Sequence, residues 1–169
     1  GTSITQGASA MRPGMGYPAI LSRKLNIETI NLGFSGNGKL EKEMAEALSE
    51  INASCYVIDC GGNLTPQLAN ERTIPFIRLL RKNRPGIPIM LVEHLIFPPS
   101  RFVKSTRERI DQINAAFSQA YTSLKKEGMK NLYYLPAEHL IGDDGEATVD
   151  GAHFTDLGFT RISIQMEMQ

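Results

Sequence analysis

Apolar runs of strand length alternate with long amphipathic stretches along this chain, and that alternation constrains the fold more than any other feature. "TINLG" (29–33) reads as a short buried strand ending at a glycine. "CYVIDCGG" (55–62), "IPIMLVEH" (87–94) and "NLYYLP" (131–136) read as three more. Between them, "KLEKEMAEALSEI" (39–51) puts Leu40, Met44, Ala47, Leu48 and Ile51 on one helical face. Residues 70–83 are predicted helical, with Pro75 marking a kink or a restart. Residues 105–128 predict a long helix with Ser105 or Thr106 as its cap and Gly128 at its end. Residues 156–168 predict a closing helix. Strand and helix at this spacing require right-handed crossovers and a parallel sheet with helices on both faces, an α/β chain of three layers, α/β/α. No internal repeat, low-complexity tract or linker interrupts the pattern, so one domain is expected over 1–169. Such a sheet begins with a central strand, yet this chain opens on a loop. The expectation is a fragment whose first strand lies upstream, or a sheet completed in another way.

The totals narrow the class of function. An apolar content of 41% supplies a core and excludes a disordered tail. Lys plus Arg is 18 and Asp plus Glu is 18, a balance that draws the protein toward neither nucleic acid nor an anionic membrane surface. No apolar run approaches the roughly 20 residues of a membrane helix. Cys55 and Cys60 point to opposite faces of one strand, do not match zinc-ligand spacing, and read as two small buried apolar residues.

In open α/β sheets chemistry gathers at the carboxyl ends of strands. Four loops qualify: "GTSITQG", "GFSGNGKL", "GGNLTP" and "DGAHFTDLGF". In the last, Asp150 and His153 are spaced so that the carboxylate can fix one imidazole nitrogen and leave the other as a base. The alternative is a helix-capping aspartate beside a surface histidine. In the first loop, no strand precedes Ser3 and no capped helix is read directly after it, so Ser3 is either the tip of a reactive turn or part of a loose end. A hydroxyl becomes a nucleophile only when a base takes its proton, and the two loops together provide both. Acyl transfer also needs donors for the developing oxyanion. A backbone N–H of "SGNG", the Asn63 side-chain amide and the Ser3 N–H can supply them.

These four blocks, in this order, resemble the SGNH hydrolases, the GDSL-type esterases and lipases. "GTSITQG" resembles the nucleophile block, with Thr2 where the family often has Asp; "GFSGNG", "GGN" and "DGAH" resemble the glycine, asparagine and Asp-x-x-His blocks. The resemblance implies a flavodoxin-like SGNH hydrolase fold with Ser3 as nucleophile, His153 as base and Asp150 as its orienter. It implies an oxyanion hole of Ser3, Gly36 and Asn63, with Gly33 as a substitute for Gly36. It implies no metal and no cofactor. No G-x-S-x-G elbow is present, which argues against an ordinary α/β-hydrolase. The longer run 1–38 resembles a bacterial subgroup of acetylhydrolases acting on carbohydrate esters, in which a β-sandwich domain often precedes the catalytic one. The implied partner is a small-molecule or carbohydrate ester, and the implied location is outside the cytoplasm. A non-catalytic carbohydrate-binding module on a degenerate hydrolase fold is the alternative, and lipase, thioesterase and arylesterase specificities stay open, as do the compartment and the oligomeric state.

Other features compete. "GFSGNGKL" spells most of a phosphate-binding loop, but Leu40 stands where Ser or Thr would hold magnesium, so nucleotide binding is not expected. Glu93 and His94 end a strand and are expected to line the substrate cleft. His139 follows the last strand and is not assigned a role. Arg12 and Tyr17 could wall a cleft, with Tyr17 stacking on a sugar; the preferred reading is a turn leading into a helix at Pro18.

Overall fold

The computed structural model describes residues 1–168. The chain forms two compact units, one of residues 1–38, 95–107 and the segment from 137 onward, the other of residues 39–94 and 108–136.

The second unit carries the sheet. β1 (Tyr56–Ile58), β2 (Ile89–Val92) and β3 (Leu132–Leu135) are parallel and lie in the order β1-β2-β3. Ile89 pairs with Tyr56 on one side and Leu132 on the other, which puts β2 in the centre. Its four residues are all buried, whereas Val57 of β1 and Tyr133 of β3 reach solvent. That is the burial expected of a short parallel sheet, whose central strand reads as a continuous apolar run. α3 (Lys42–Glu50) packs on α4 (Pro66–Asn83), and α5 (Lys104–Lys126) supplies Ile113, Phe117 and Leu124 to the same core as Ile58, Ile77 and Leu91.

The helices keep their predicted positions with altered ends. α4 starts at Pro66 because Thr65 caps it, accepting from the Leu68 N–H at 3.2 Å. It passes through Pro75 as one helix, so the proline marks no restart. Pro75 lies on the solvent face, where water can serve the carbonyl its missing N–H leaves free. α5 begins at Lys104, ahead of both Ser105 and Thr106, so neither residue caps it. Gly128 follows its end in the left-handed region (φ 87°). Of the two cysteines, Cys60 is buried as expected but Cys55 is exposed, lying just outside the strand that the run 55–62 predicts.

The first unit contains the one-turn α1 (Ser3–Gln6), α2 (Tyr17–Leu25) and α6 (Asp156–Glu167), with α2 packed on α6. The run 29–33 is not a strand. Its backbone makes one rung of a parallel ladder, with the Gly1 amino group donating to Leu32 O and the Phe34 N–H to Gly1 O, each at 3.0 Å. The Asn31 side chain takes the bonds beside that rung: it donates to Thr5 O at 2.8 Å and accepts the Gly33 N–H at 3.0 Å. A local side-chain partner thus replaces a ladder partner. Among the described residues no helix is long and apolar enough to cross a membrane.

Candidate active site

Ser3 is the first residue of α1 rather than part of a loose end. Thr2 is its N-cap: extended, 2% exposed, with Oγ1 accepting the Ile4 N–H at 3.2 Å. The Thr2 N–H donates in return to Thr5 Oγ1 at 3.1 Å, and Tyr17 OH donates to the same oxygen at 3.0 Å. A capped helical turn therefore does follow the first residues, contrary to the sequence reading. Its signal is T-x-x-T, a weaker form of the capping box, in which a hydroxyl replaces the usual carboxylate or amide. Tyr17 is 3% exposed and has no face free for a sugar; it opens α2 and pins α1. Thr2, Thr5 and Tyr17 support Ser3 and were not singled out for that task from the sequence.

The glycine loop runs beside this turn. Gly33 backs directly onto α1: a Cβ there would lie 2.2 Å from Gln6 N and 2.8 Å from Thr2 O. Its N–H is engaged by Asn31. The chain then turns, with the Asn37 and Gly38 N–H groups both donating to Phe34 O. Gly36 holds φ 68° at the turn, conformationally costly for any other residue, and a Cβ on it would meet open space. Among the described residues neither the Gly36 N–H nor the Ser3 N–H donates to a protein acceptor. The helix after this loop starts at Lys42, and Lys39 N–H is held by Glu41 at 2.9 Å, so the loop does not open a helix at its lysine as a phosphate loop must.

Asp150 and His153 sit at the tip of a tight return of the chain. Thr148 and Phe154 form an antiparallel bridge, the Val149 N–H donates to His153 O at 2.9 Å, and the buried Phe154 ring meets Phe159 edge-on. Asp150 Oδ1 accepts the Ala152 and His153 N–H groups at 2.9 and 2.7 Å. Its Oδ2 lies 2.6 Å from His153 Nδ1. The helix that follows is capped by Thr155, not by Asp150. The His153 side-chain bond, then the two backbone donors, hold the Asp150 carboxyl at about 2, below the usual carboxylate range. The other ring nitrogen, Nε2, lies 3.0 Å from Ser3 Oγ. Three groups linked in this order can move a proton from hydroxyl to imidazole while the carboxylate steadies the ring.

Asn63 ends a single 3₁₀ turn, Gly61–Asn63, in the second unit. In the same unit Glu93 accepts from Tyr134 OH, and burial, then that carboxylate, raise the Tyr134 hydroxyl above its usual range. His94 is 2% exposed. His139 is exposed, 2.8 Å from Asp143 through Nδ1, and Arg12 is exposed.

A model of the GDSL-like Lipase/Acylhydrolase family matches residues 1–168. A crystal structure from Bacteroides ovatus, described as a GDSL-like lipase, superposes with a TM-score of 0.95 at 43% identity, covering 99% of this chain and 50% of that one. A salicylyl-acyltransferase from a tetracycline biosynthetic pathway has a TM-score of 0.85 at 16% identity, over 99% and 51% of the two chains. A family two carbohydrate esterase from Clostridium thermocellum, solved with cellohexaose, has a TM-score of 0.75 at 15% identity, over 99% and 60%. The last two share the fold. The chain thus spans half to three-fifths of the length of these structures. No curated protein sequence matches it.

Proposed function

Given that the chain belongs to the GDSL-like lipase/acylhydrolase family, we propose that it is a serine esterase in which Ser3 attacks the ester carbonyl and His153 takes its proton. Asp150 holds the imidazole in the tautomer with Nε2 free and stabilises the imidazolium. His153 then gives the proton to the departing alcohol, and water releases the acyl group by the same steps in reverse. The observation that carries this reading is the unbroken line Ser3 Oγ, His153, Asp150, at 3.0 and 2.6 Å.

The oxyanion is assigned to the Ser3 and Gly36 N–H groups. Gly33 is the weaker candidate, since its N–H already serves Asn31. The third donor assigned by the sequence blocks is the Asn63 amide. Glu93 and His94 keep their assignment to the substrate wall on the strand-end argument alone. The preferred substrate class is a small acyl ester, acetyl on carbohydrate, supported by the resemblance of residues 1–38 and by a fold shared with a carbohydrate esterase.

Turnover of p-nitrophenyl acetate tests the reading. Ser3→Ala is expected to abolish it while leaving the circular dichroism spectrum unchanged. Unchanged turnover refutes the assignment of Ser3.

A further inference from the structure

Asn63 stands between two carbonyls held by one side chain. Arg109 Nη2, from α5, donates to Gly62 O at 3.1 Å and to Leu64 O at 2.6 Å. The bonds of the turn itself use other carbonyls: the Asn63 N–H donates to Cys60 O and the Leu64 N–H to Gly61 O. Leu64 lies before the Thr65 cap, outside α4. The segment that presents Asn63 is therefore fastened from outside by a guanidinium, whose planar fork fixes direction as well as distance.

The guanidinium is itself held. Nη1 lies 3.4 Å from His94 Nε2, at the long end of hydrogen-bond reach, a contact that needs that ring nitrogen unprotonated. The His94 backbone is pinned on both sides by Asn114, which accepts its N–H and donates to its carbonyl, each at 2.8 Å. Burial draws the Arg109 pKa down, the mark of a cation partly stripped of water.

We propose that Arg109 is the positioning residue for Asn63: by gripping the carbonyls on either side, it fixes the orientation from which the Asn63 amide donates to the oxyanion. This rests on the assignment of Asn63 as an oxyanion donor. The sequence shows no motif for it, because Arg109 is one of several basic residues at the start of α5 and only the fold brings it to residues 62–64.

The test is a double-mutant cycle with p-nitrophenyl acetate, reading kcat and KM separately. Asn63→Ala is expected to lower kcat by on the order of 10²–10³. Arg109→Ala is expected to lower kcat by about tenfold or more with KM little changed, and to cause no further loss in the Asn63→Ala background. Free guanidinium is expected to restore part of the Arg109→Ala loss. Full multiplication of the two losses, or an unchanged kcat for Arg109→Ala, overturns the inference while leaving the Asn63 assignment intact. An unchanged kcat for Asn63→Ala overturns that assignment, and this inference with it. Should Arg109→Ala not fold, Arg109→Lys, which keeps the charge but not the fork, takes its place in the cycle with the same outcomes.

Discussion

Ser3 Oγ and His153 Nε2 lie 3.0 Å apart across 150 positions of sequence. The carboxylate of Asp150 touches the far side of the same ring. All three belong to the first unit, so the hydroxyl, the ring and the acid share one local framework.

Asp150 should set the quality of the base without setting the acid limit of the reaction. Its pKa is depressed to about 2, so the carboxylate stays ionised above that value. Whatever stability its bonds provide is present above the ordinary Asp value of roughly 3.9 and fades as pH falls through about 2. A fall in kcat/KM on the acid side at any pH above about 2 should therefore come from a group other than Asp150. Asp150→Asn should lower kcat by on the order of 10³–10⁴ across the profile, by supporting the wrong tautomer. A loss of less than about tenfold would show that the ring is oriented by something else.

The two glycines of the loop should respond differently to a methyl group. Gly33→Ala drives a Cβ into the backbone of α1, and relief must displace either the loop or the turn carrying Ser3. A destabilisation of roughly 1–3 kcal/mol is expected, with reduced kcat. Gly36→Ala meets no atom; it carries the left-handed backbone cost of about 1–2 kcal/mol and keeps its N–H. Urea denaturation and kcat per folded molecule separate the two: Gly36→Ala should retain most of its activity and Gly33→Ala should not.

Thr2 should matter through its hydroxyl. Thr2→Val preserves shape but leaves the Ile4 N–H without its cap, in a place 2% exposed. A loss of about 1–2 kcal/mol is expected, together with lower kcat because Ser3 is the next residue. Thr2→Ser should restore both. Equal stability of the Val and Ser variants would mean that the cap contributes nothing.

Most of the architecture was legible in the chain because its signals are local. The buried run of β2 and the stripe of α5 need only periodicity to be seen. Among the described residues, only "GGNLTP" of the four loops comes directly after a strand, so Ser3, Asp150 and His153 were singled out by residue type and spacing rather than by true strand ends. The run 29–33 was misread because its apolar pattern says nothing about whether a ladder partner exists, and Asn31 competes for the backbone. Cys55 was misread because a strand end cannot be placed to the residue. The support of Ser3 by Tyr17 through Thr5 depends on where α2 lies. Arg109 is further still from legibility, since its partners are carbonyls of residues 62 and 64, which no side-chain pattern encodes.

The central claim is that Ser3 is an activated nucleophile. Incubation with a fluorophosphonate probe, followed by peptide mass spectrometry, tests it most directly. A single adduct on Ser3, with labelling lost in His153→Ala, is the predicted result. An unlabelled Ser3 in a folded protein that still cleaves p-nitrophenyl acetate would contradict it.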